Sequence, residues 1–223
     1  MRNLGQHDEH LSSPAAIADY AKKKSLISAE QQDPRVQKER EEWKRKTADV
    51  DPRCLKFLDQ TNAKTTMTRL YGRAPRGQRV REFVPDGRWK SLTLMGTLGY
   101  AGDTTAFTYE GGTDVMAMLT FVEGILGLEL RRGHILVLDR LASHLEPTVV
   151  AAIKKTGAQV WHLPPYSHDF NPIEQMWSKV KAYLRKMKPR DNDSLNVTIA
   201  EALNTVTATD AMNWFAHCGY PQR

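Results

Sequence analysis

The sequence has little cysteine and no long apolar segment, and both absences narrow what this protein can be. Its 223 residues include two cysteines, Cys54 and Cys218, which are far apart and form no metal-ligand pattern or disulfide framework. The most apolar stretch, residues 116–130, is shorter than the ~18 residues that a membrane span needs, and Glu123 interrupts it. We therefore expect a protein without a membrane-spanning segment.

The first ten residues, MRNLGQHDEH, also lack the apolar core of a secretion signal. Two lone cysteines fit a reducing compartment, so we expect a cytoplasmic protein. Internal repeats and low-complexity tracts are absent from the sequence, which excludes repeat architectures. A hydrophobic content of 40% with 26% charged residues is typical of a globular chain, here one domain with an appendage.

Positive charge is concentrated in two segments of the chain, whose net charge is +6. Residues 64–90 carry eight Lys or Arg against two acids, and residues 178–190 carry six basic residues and no acid. Such a concentrated excess is typical of proteins that bind a phosphate backbone, although a solvated surface would explain it too. The DNA-binding candidates are Arg69, Arg73, Arg76, Arg79, Arg88, Lys90, Lys181 and Arg185.

The first fifty residues differ from the rest of the chain in their pattern of charged and apolar residues. Ser13-Pro14 and Asp33-Pro34 can each begin a helix, because proline is favoured at the first helical position. The second helix, with the sequence VQKEREEWKRK, is charged on most of its faces and should pack poorly into a core. We therefore predict a helical linker or arm over residues 1–50 and a separate folded domain over residues 51–223.

The remaining pattern predicts an α/β fold. CLKFLDQT is a strand, KSLTLMGTLGY and DTTAFTYEGG form a hairpin, and HILVLDR and AQVWHLPP are two further strands. Helices are predicted over residues 113–131, 146–156 and 171–188, with two shorter ones after them. Hairpins imply antiparallel pairing and strand–helix alternation implies parallel pairing. The expected fold is therefore a mixed five-stranded sheet flanked by helices, a ribonuclease-H-like arrangement.

Three acids lie at the predicted ends of strands or at the start of a helix, where sheets of this kind usually bind ligands. Asp59 ends the first predicted strand, Asp139 ends HILVLD, and Glu174 opens the helix after the last strand. The carboxyl ends of strands are the usual ligand sites of open α/β sheets. Because Mg²⁺ and Mn²⁺ prefer carboxylate oxygens, the three side chains are candidate ligands for a metal pair that cleaves phosphodiesters.

Each acid also has a structural interpretation that the residues alone leave open. Asp59 could be a turn residue at a strand end. Asn171 and Glu174 have the spacing of a helix-capping pair, which would explain Glu174 without any metal. Glu174 nevertheless shares a helical face with Lys181 and Arg185, as expected of an acid that binds metal beside basic residues that bind phosphate.

LDRLASH followed by LPPYSHDFNPIEQMWSKVK resembles the DDE-type transposases of the Tc/mariner superfamily, in their bacterial insertion-sequence branch. Asp139 and Glu174 have 34 residues between them (174 − 139 − 1), a spacing similar to that of the family. LYGRAPRGQR, DGRWKSLTLMG and the final WFAHCGY resemble it too, and KKKSLISAEQQDPRVQKEREEW resembles the linker that precedes the family's catalytic domain. The resemblance covers residues 22–220.

This resemblance implies a transposase catalytic domain that cleaves and transfers DNA strands at insertion-sequence ends. It places the catalytic, metal-binding acids at Asp59, Asp139 and Glu174, with two Mg²⁺ or Mn²⁺ ions as cofactors. The attacking oxygen would come from water and later from a DNA 3′-hydroxyl. Transposon-end and target DNA are the implied partners, a homodimer is the implied assembly, and the bacterial cytosol or nucleoid is the implied location.

Three positions depart from the family's usual residues: Gln60 follows the first aspartate, Arg140 follows the second, and His168 stands where the family has proline. They favour an alternative function, an inactive transposase remnant that only binds DNA. His144 matches a frequent histidine of the motif; it could contact phosphate, orient Asp139, or be an ordinary loop histidine.

The family recognises transposon ends with helix-turn-helix domains. About fifty residues precede the predicted catalytic domain, which is too few for two three-helix modules, so we expect these domains to be absent from this sequence. Either an upstream gene product supplies them, with frameshifting as one route, or the copy is truncated.

Overall fold

The computed structural model describes residues 28–84 and 90–222, and its centre is one five-stranded sheet. The strands are β1 Leu55–Lys64, β2 Ser91–Gly99, β3 Thr104–Tyr109, β4 Ile135–Leu138 and β5 Gln159–His162. Their order across the sheet is β3-β2-β1-β4-β5. The first three strands pair antiparallel, while β1, β4 and β5 pair parallel. The predicted mixed sheet and its β2–β3 hairpin are confirmed.

Helices cover both faces of the sheet. In the described part of the chain they are α1 Pro34–Ala48, α2 Val115–Gly124, α3 Ala142–Leu145, α4 Pro147–Lys155, α5 Ile173–Met187, α6 Asn192–Asn204 and α7 Ala208–His217. Side chains alternate between the faces of a strand, so Phe57 belongs to a core cluster with residues of α5, α6 and α7. Leu58 faces the other way and packs in a cluster with residues of α2 and α4.

The register between β1 and β4 brings two of the predicted acids to the same level. The parallel pairing of these strands includes Phe57 opposite Val137. Asp59 and Asp139 each follow two residues later, on neighbouring strands that lie about 4.8 Å apart in a sheet. Asp59 is therefore not at the end of its strand, as the sequence analysis predicted, because β1 continues to Lys64 along β2 after its pairing with β4 has stopped.

A glycine in β2 sets the position of α5, the helix that carries Glu174. Gly96 is the residue of β2 that pairs with Asp59. A Cβ atom at Gly96 would lie 2.8 Å from Cη2 of Trp177, so the indole ring packs directly on the strand backbone. Trp177 is almost fully buried and lies three residues after Glu174, about one helical turn. This packing holds the first turn of α5 next to Asp59.

The charged helix α1 packs on the domain, so the expectation that it would stay outside the core is wrong. Trp43 is only 5% exposed and belongs to the same core cluster as Phe57. Its indole Nε1 donates to the Tyr220 hydroxyl at 3.2 Å, and its ring meets Trp161 edge-on at 6.0 Å. One large aromatic side chain thus anchors a helix whose charge pattern indicated a free arm. The helix predicted to begin at Ser13-Pro14 lies outside the described residues.

The helix predicted over residues 113–131 is shorter than expected. α2 ends at Gly124, where Ile125 leaves helical geometry with φ −127°, and a separate 3-10 turn follows at Leu126–Leu128. Gly124 and Gly127 explain the break, because glycine weakens a helix interior. Among the described residues, no helix has the length and apolarity required to span a membrane.

Candidate metal centre and nucleic-acid interface

Asp59, Asp139 and Glu174 line one open cleft of about 600 Å³, which we call the acid cleft. Its floor is the carboxyl end of β4 beside the middle of β1, and its side is the first turn of α5. Three acids that are 80 and 35 residues apart (139 − 59 and 174 − 139) therefore share one cavity. The topology brings together the three residues that the sequence analysis selected.

Asp59 is the most buried of the three acids and carries the strongest electrostatic perturbation. The residue is 8% exposed, and its Oδ1 accepts a hydrogen bond from the backbone N–H of Gln60 at 2.7 Å. Burial, followed by the negative charges of Glu174 and Asp139, raises the pKa of Asp59 from 3.8 to about 7. The fold therefore concentrates negative charge that a bound cation would neutralise.

Asp139 is held by hydrogen bonds to a single oxygen. Its Oδ1 accepts from the Leu141 backbone N–H at 3.0 Å and from Nδ1 of His144 at 2.5 Å, and neither bond uses Oδ2. Burial acts to raise the pKa of Asp139, but the hydrogen bond and charge of His144 and the Leu141 N–H outweigh it and lower the pKa. Asp139 is thus fixed as a carboxylate, with Oδ2 available to a ligand.

His144 is completely buried, with a relative exposure of 0%, so it cannot contact a DNA phosphate as one sequence-based interpretation had it. It lies in α3, a one-turn helix that the sequence analysis did not predict. Its second ring nitrogen, Nε2, is 3.1 Å from Oε1 of Gln60. The imidazole therefore connects Gln60 of β1 to Asp139 after β4, a position from which it can orient the Asp139 carboxylate.

Glu174 does not cap its helix. The residue that precedes α5 is Pro172, and no side chain there accepts a hydrogen bond from the first turn. The side chain of Glu174 is 44% exposed toward the cleft, with Oε1 3.7 Å from Nδ1 of His168. The capping interpretation therefore fails, and this carboxylate remains available to a ligand.

Asn171 brings an unpaired oxygen into the same cavity. It is 3% exposed, and its Nδ2 lies 3.5 Å from Oδ2 of Asp59. Its Oδ1 is buried and has no hydrogen-bond partner. A buried amide oxygen without a partner costs free energy unless a ligand completes it.

The residues of the cleft fit a divalent cation by their chemistry. Three carboxylates and one unpaired amide oxygen form a hard-oxygen donor set of the kind that Mg²⁺ and Mn²⁺ prefer. Within the described ranges, no three His, Cys, Asp or Glu side chains already converge as a finished metal cluster.

The residues that depart from the sequence motif have partners in the structure. Arg140 donates to Glu39 of α1 at 2.5 Å and to the Leu163 carbonyl at 3.1 Å. His168 is next to Glu174, and Gln60 contacts His144. Gln60 and Arg140 also line the acid cleft.

The predicted DNA-binding residues fall on two neighbouring surfaces, apart from Arg88, which lies outside the described residues. Arg69, Arg73, Arg76 and Arg79 are exposed on the loop that joins β1 to β2, which we call the basic loop, and Lys90 is exposed at its end. Lys181 and Arg185 are half-buried on α5. The charge of Lys181 acts to lower the pKa of Asp59, so it lies within electrostatic reach of the acid cleft.

The C-terminal end of α5 is tied to the basic loop. Lys188, the residue after α5, forms an ion pair with Glu82. Arg190 donates to the backbone carbonyls of Thr65 and Met67 at 2.7 and 3.1 Å. These contacts hold the C-terminal end of α5, the helix that carries Lys181 and Arg185, beside the basic loop.

A sequence profile of the DDE superfamily endonucleases matches residues 55–196, which contain all three acids. The chain belongs to this family. The domain boundary predicted at residue 50 stays a prediction. A search of curated proteins gave no significant match.

Solved structures show the fold of this DDE endonuclease chain. A pre-cleavage Mos1 transpososome superposes with a TM-score of 0.70 at 11% identity, covering 90% of this chain and 64% of the other. A Mos1 mariner paired end complex with Mn gives 0.66 at 12%, covering 91% and 64%. The catalytic domain of Mos1 mariner transposase gives 0.56 at 11%, covering 86% and 90%. The predicted ribonuclease-H-like fold is confirmed.

The chain spans less than two thirds of the length of the transpososome chains it matches. At 11–12% identity these three likenesses establish only the fold of the chain. Sequence reasoning missed the buried contacts of Asn171 and the link from His144 to Gln60. The matching motif NPIE and the polar residue after Asp59 were the available signals, but neither showed which side chains meet.

We predict that His144→Ala weakens Mn²⁺ binding by this DDE endonuclease about 10- to 100-fold, the usual effect of removing a residue that orients a metal ligand. Without the ring, Asp139 loses one of its two hydrogen bonds and can rotate. Isothermal titration with Mn²⁺ measures the change. His217→Ala, on the exposed surface of α7, is the matched control and should bind like the wild type. Equal affinity of the His144 variant and the wild type would contradict the orienting role.

Proposed function

We propose that this chain is the catalytic domain of a transposase, which cleaves and transfers DNA strands at the ends of a bacterial insertion sequence using Mg²⁺ or Mn²⁺. The observation that carries the proposal is the acid cleft, which brings Asp59, Asp139 and Glu174 together and in which burial, followed by the charges of Glu174 and Asp139, raises the pKa of Asp59 to about 7. Such strong perturbation in a cleft is typical of functional sites. Membership of the DDE endonuclease family and the Mos1-like fold support the same activity.

In the proposed reaction the three carboxylates would hold two divalent ions. The ions would supply Lewis-acid activation of a water or a DNA 3′-hydroxyl and would neutralise the leaving oxygen. Asp139 offers Oδ2 while His144 and the Leu141 N–H hold Oδ1. Glu174 reaches the cleft from α5, which the packing of Trp177 on Gly96 keeps in place. A neighbouring structure was solved as a paired end complex with Mn, which supports the choice of ion.

The basic residues of α5 and of the basic loop would position the DNA. Lys181 and Arg185 follow Glu174 along α5, and the basic loop continues the positive charge beyond Lys188. Exposed Arg and Lys side chains bind phosphate oxygens without reading the base sequence. A DNA strand crossing the acid cleft would therefore be held on one side of the scissile bond by these residues.

The proposed partners of the chain are a second copy of itself and a protein with helix-turn-helix domains. The paired-end complexes of Mos1 support action on two transposon ends, so we propose a homodimer. Helix-turn-helix domains from an upstream gene product, joined by frameshifting or by association, would recognise the end sequence. The reaction would take place in the bacterial cytosol or nucleoid. The motif LPPYSHDFNPIE supports the bacterial insertion-sequence branch.

A nicking assay tests the proposed function. The substrate is a supercoiled plasmid carrying the inverted repeats that flank the gene, with and without the upstream gene product. We expect nicks at the repeat ends with Mg²⁺ or Mn²⁺ and none with EDTA. Salt-sensitive DNA binding without cleavage under either metal would instead identify an inactive, DNA-binding remnant.

We predict that Arg76→Ala combined with Arg79→Ala weakens DNA binding and its salt dependence. Arg76 lies within a turn and Arg79 directly follows it; in this turn the Gln78 N–H donates to the Pro75 carbonyl at 3.0 Å and Gly77 has φ 85°. Loss of two phosphate contacts should lower the slope of log K against log salt concentration by about 2. Fluorescence anisotropy at several salt concentrations measures it.

The control for this prediction removes two equivalent charges elsewhere. Lys154 and Lys155 are exposed at the end of α4, which covers the sheet face opposite α5. Changing both to alanine should leave the slope near that of the wild type. If both double variants lose slope equally, the basic loop has no special role in holding DNA.

A further inference from the structure

Tyr166 has a backbone conformation that non-glycine residues rarely adopt. Its φ is 54°, in the left-handed region, and Lys188, after the end of α5, is the other such non-glycine residue among those described. Lys188 ends a helix, which is an ordinary place for this conformation, whereas Tyr166 lies in a loop. Outliers of this kind persist where surrounding contacts enforce them, and they concentrate at functional sites.

The contacts that enforce this conformation come largely from α1 and the turn before it. Gln31 Nε2 donates to the Tyr166 carbonyl at 2.5 Å, and Ser167 Oγ donates to the Pro165 carbonyl at 2.9 Å. Arg40 Nη1 in turn donates to Ser167 Oγ at 2.8 Å. The peptide on each side of Tyr166 is therefore fixed by a side chain.

Arg40 also fixes Asp169 and Phe170, which follow in the same loop. Its guanidinium binds both carboxylate oxygens of Asp169, at 2.9 and 2.6 Å, and lies 4.2 Å above the ring of Phe170. The Arg40 side chain is 15% exposed, so this ion pair is shielded on one side from solvent. The loop is held as a unit, which gives the Tyr166 side chain a defined place.

That place is the rim of the acid cleft. Tyr166 lines the same cavity as Asp59, Asp139 and Glu174, yet 48% of it is exposed. Within the described part of the chain, its ring takes part in none of the aromatic pairs or cation–π contacts, and its hydroxyl forms no hydrogen bond. A large aromatic face is thus presented to whatever occupies the cleft.

We propose that Tyr166 is a nucleotide-binding residue, on whose ring a DNA base adjacent to the cleaved phosphodiester bond stacks. The inference rests on the proposed function, because it takes the occupant of the cleft to be DNA. Every base has a π face, so an exposed aromatic ring binds bases with little regard to sequence. Because hydrogen bonds hold the backbone of Tyr166 in its strained conformation, the ring is oriented before DNA binds. This lowers the entropy cost of stacking.

Two substitutions distinguish the contribution of the Tyr166 ring to DNA binding from the effect of its backbone conformation. Tyr166→Asn removes the ring, and asparagine tolerates a positive φ better than most residues do. Tyr166→Phe keeps the ring and removes the hydroxyl. We expect Tyr166→Asn to weaken binding of inverted-repeat duplex about 5- to 100-fold, the contribution of one stacked base, and Tyr166→Phe to restore most of it. Anisotropy measures the Kd, and thermal unfolding checks that both variants fold.

Photocrosslinking locates the contact directly. Duplexes carry 5-iodouracil on either side of the cleaved bond, and the crosslinked peptide is identified by mass spectrometry in a Glu174→Gln background. We expect the crosslink on Tyr166, and in the cleavage assay a higher KM with a nearly unchanged kcat for Tyr166→Asn. Equal affinities of Tyr166→Asn and the wild type, an equal loss in Tyr166→Phe, or a crosslink elsewhere would overturn the inference.

The outcomes also distinguish this inference from the proposed function. A wild-type chain that nicks DNA while Tyr166→Asn binds as tightly overturns the stacking role alone. A chain that binds and crosslinks through Tyr166 but never nicks supports the base contact and contradicts the proposed cleavage. A wild-type chain that neither binds nor nicks overturns both.

Discussion

Asp139→Asn is expected to reduce metal-dependent DNA nicking about 10³-fold or more, and Glu174→Gln and Asp59→Asn should do the same. Each change keeps the size of the side chain and removes one negative charge from the acid cleft. Metal ions contribute several kcal/mol to stabilising a phosphoryl transition state, and each 1.4 kcal/mol is a tenfold change in rate. Initial nicking rates at saturating Mn²⁺ measure the loss.

A neutral substitution outside the cleft controls for this experiment. Glu123 is exposed on α2, which covers the opposite face of the sheet, so Glu123→Gln should nick at the wild-type rate. Full activity in any one of the three cleft variants would remove that residue from the proposed site. A partial loss that excess Mn²⁺ restores would show that the residue contributes affinity for the ion more than chemistry.

The second large effect is expected in the free energy of unfolding of the metal-free protein, which should depend strongly on pH. Burial and the charges of Glu174 and Asp139 raise the pKa of Asp59 to about 7, against 3.8 in an ordinary environment. The fold therefore favours protonated Asp59, and this contribution is fully present below pH 4 and lost as the pH rises through 7. Linkage gives a loss of about 4 kcal/mol between pH 4 and pH 8, as an order of magnitude. Urea unfolding in EDTA at several pH values measures it.

Asp59→Asn should abolish most of this pH dependence. The amide carries no charge, so we expect the metal-free variant to be more stable than the wild type at pH 8 and similar to it near pH 4. Mn²⁺ should stabilise the wild type strongly at pH 8, and the variant less. Asp193→Asn, an exposed acid on α6, should retain the wild-type profile. An unchanged profile in Asp59→Asn would show that this carboxyl is not the perturbed group.

Much of the fold and the location of the site followed from local pattern. The continuous apolar run ILVL can only be a buried strand or helix segment, and its length and β-branched residues favoured a strand, which is β4. Because acids that follow parallel strands meet at one edge of a sheet, Asp139 and Asp59 were expected together. The helical face of Glu174, Lys181 and Arg185 was also visible in the spacing.

The rest depends on contacts between residues that are distant in sequence. The charge pattern of α1 indicated a free arm, because nothing local shows that Trp43 meets Trp161 and Tyr220 across the domain. The orientation of Asp139 depends on a one-turn helix, α3, too short to have a periodic signal. The left-handed conformation of Tyr166 is likewise enforced by a side chain 135 residues away, that of Gln31.

Anomalous diffraction from crystals grown with Mn²⁺ tests the central claim most directly, because it locates the ions without relying on activity. The account predicts Mn²⁺ peaks in the acid cleft at bonding distance from oxygens of Asp59, Asp139 and Glu174, and their loss in Asp139→Asn. Peaks only at other acidic surfaces, or a cleft without Mn²⁺ at saturating concentration and pH 8, would contradict it.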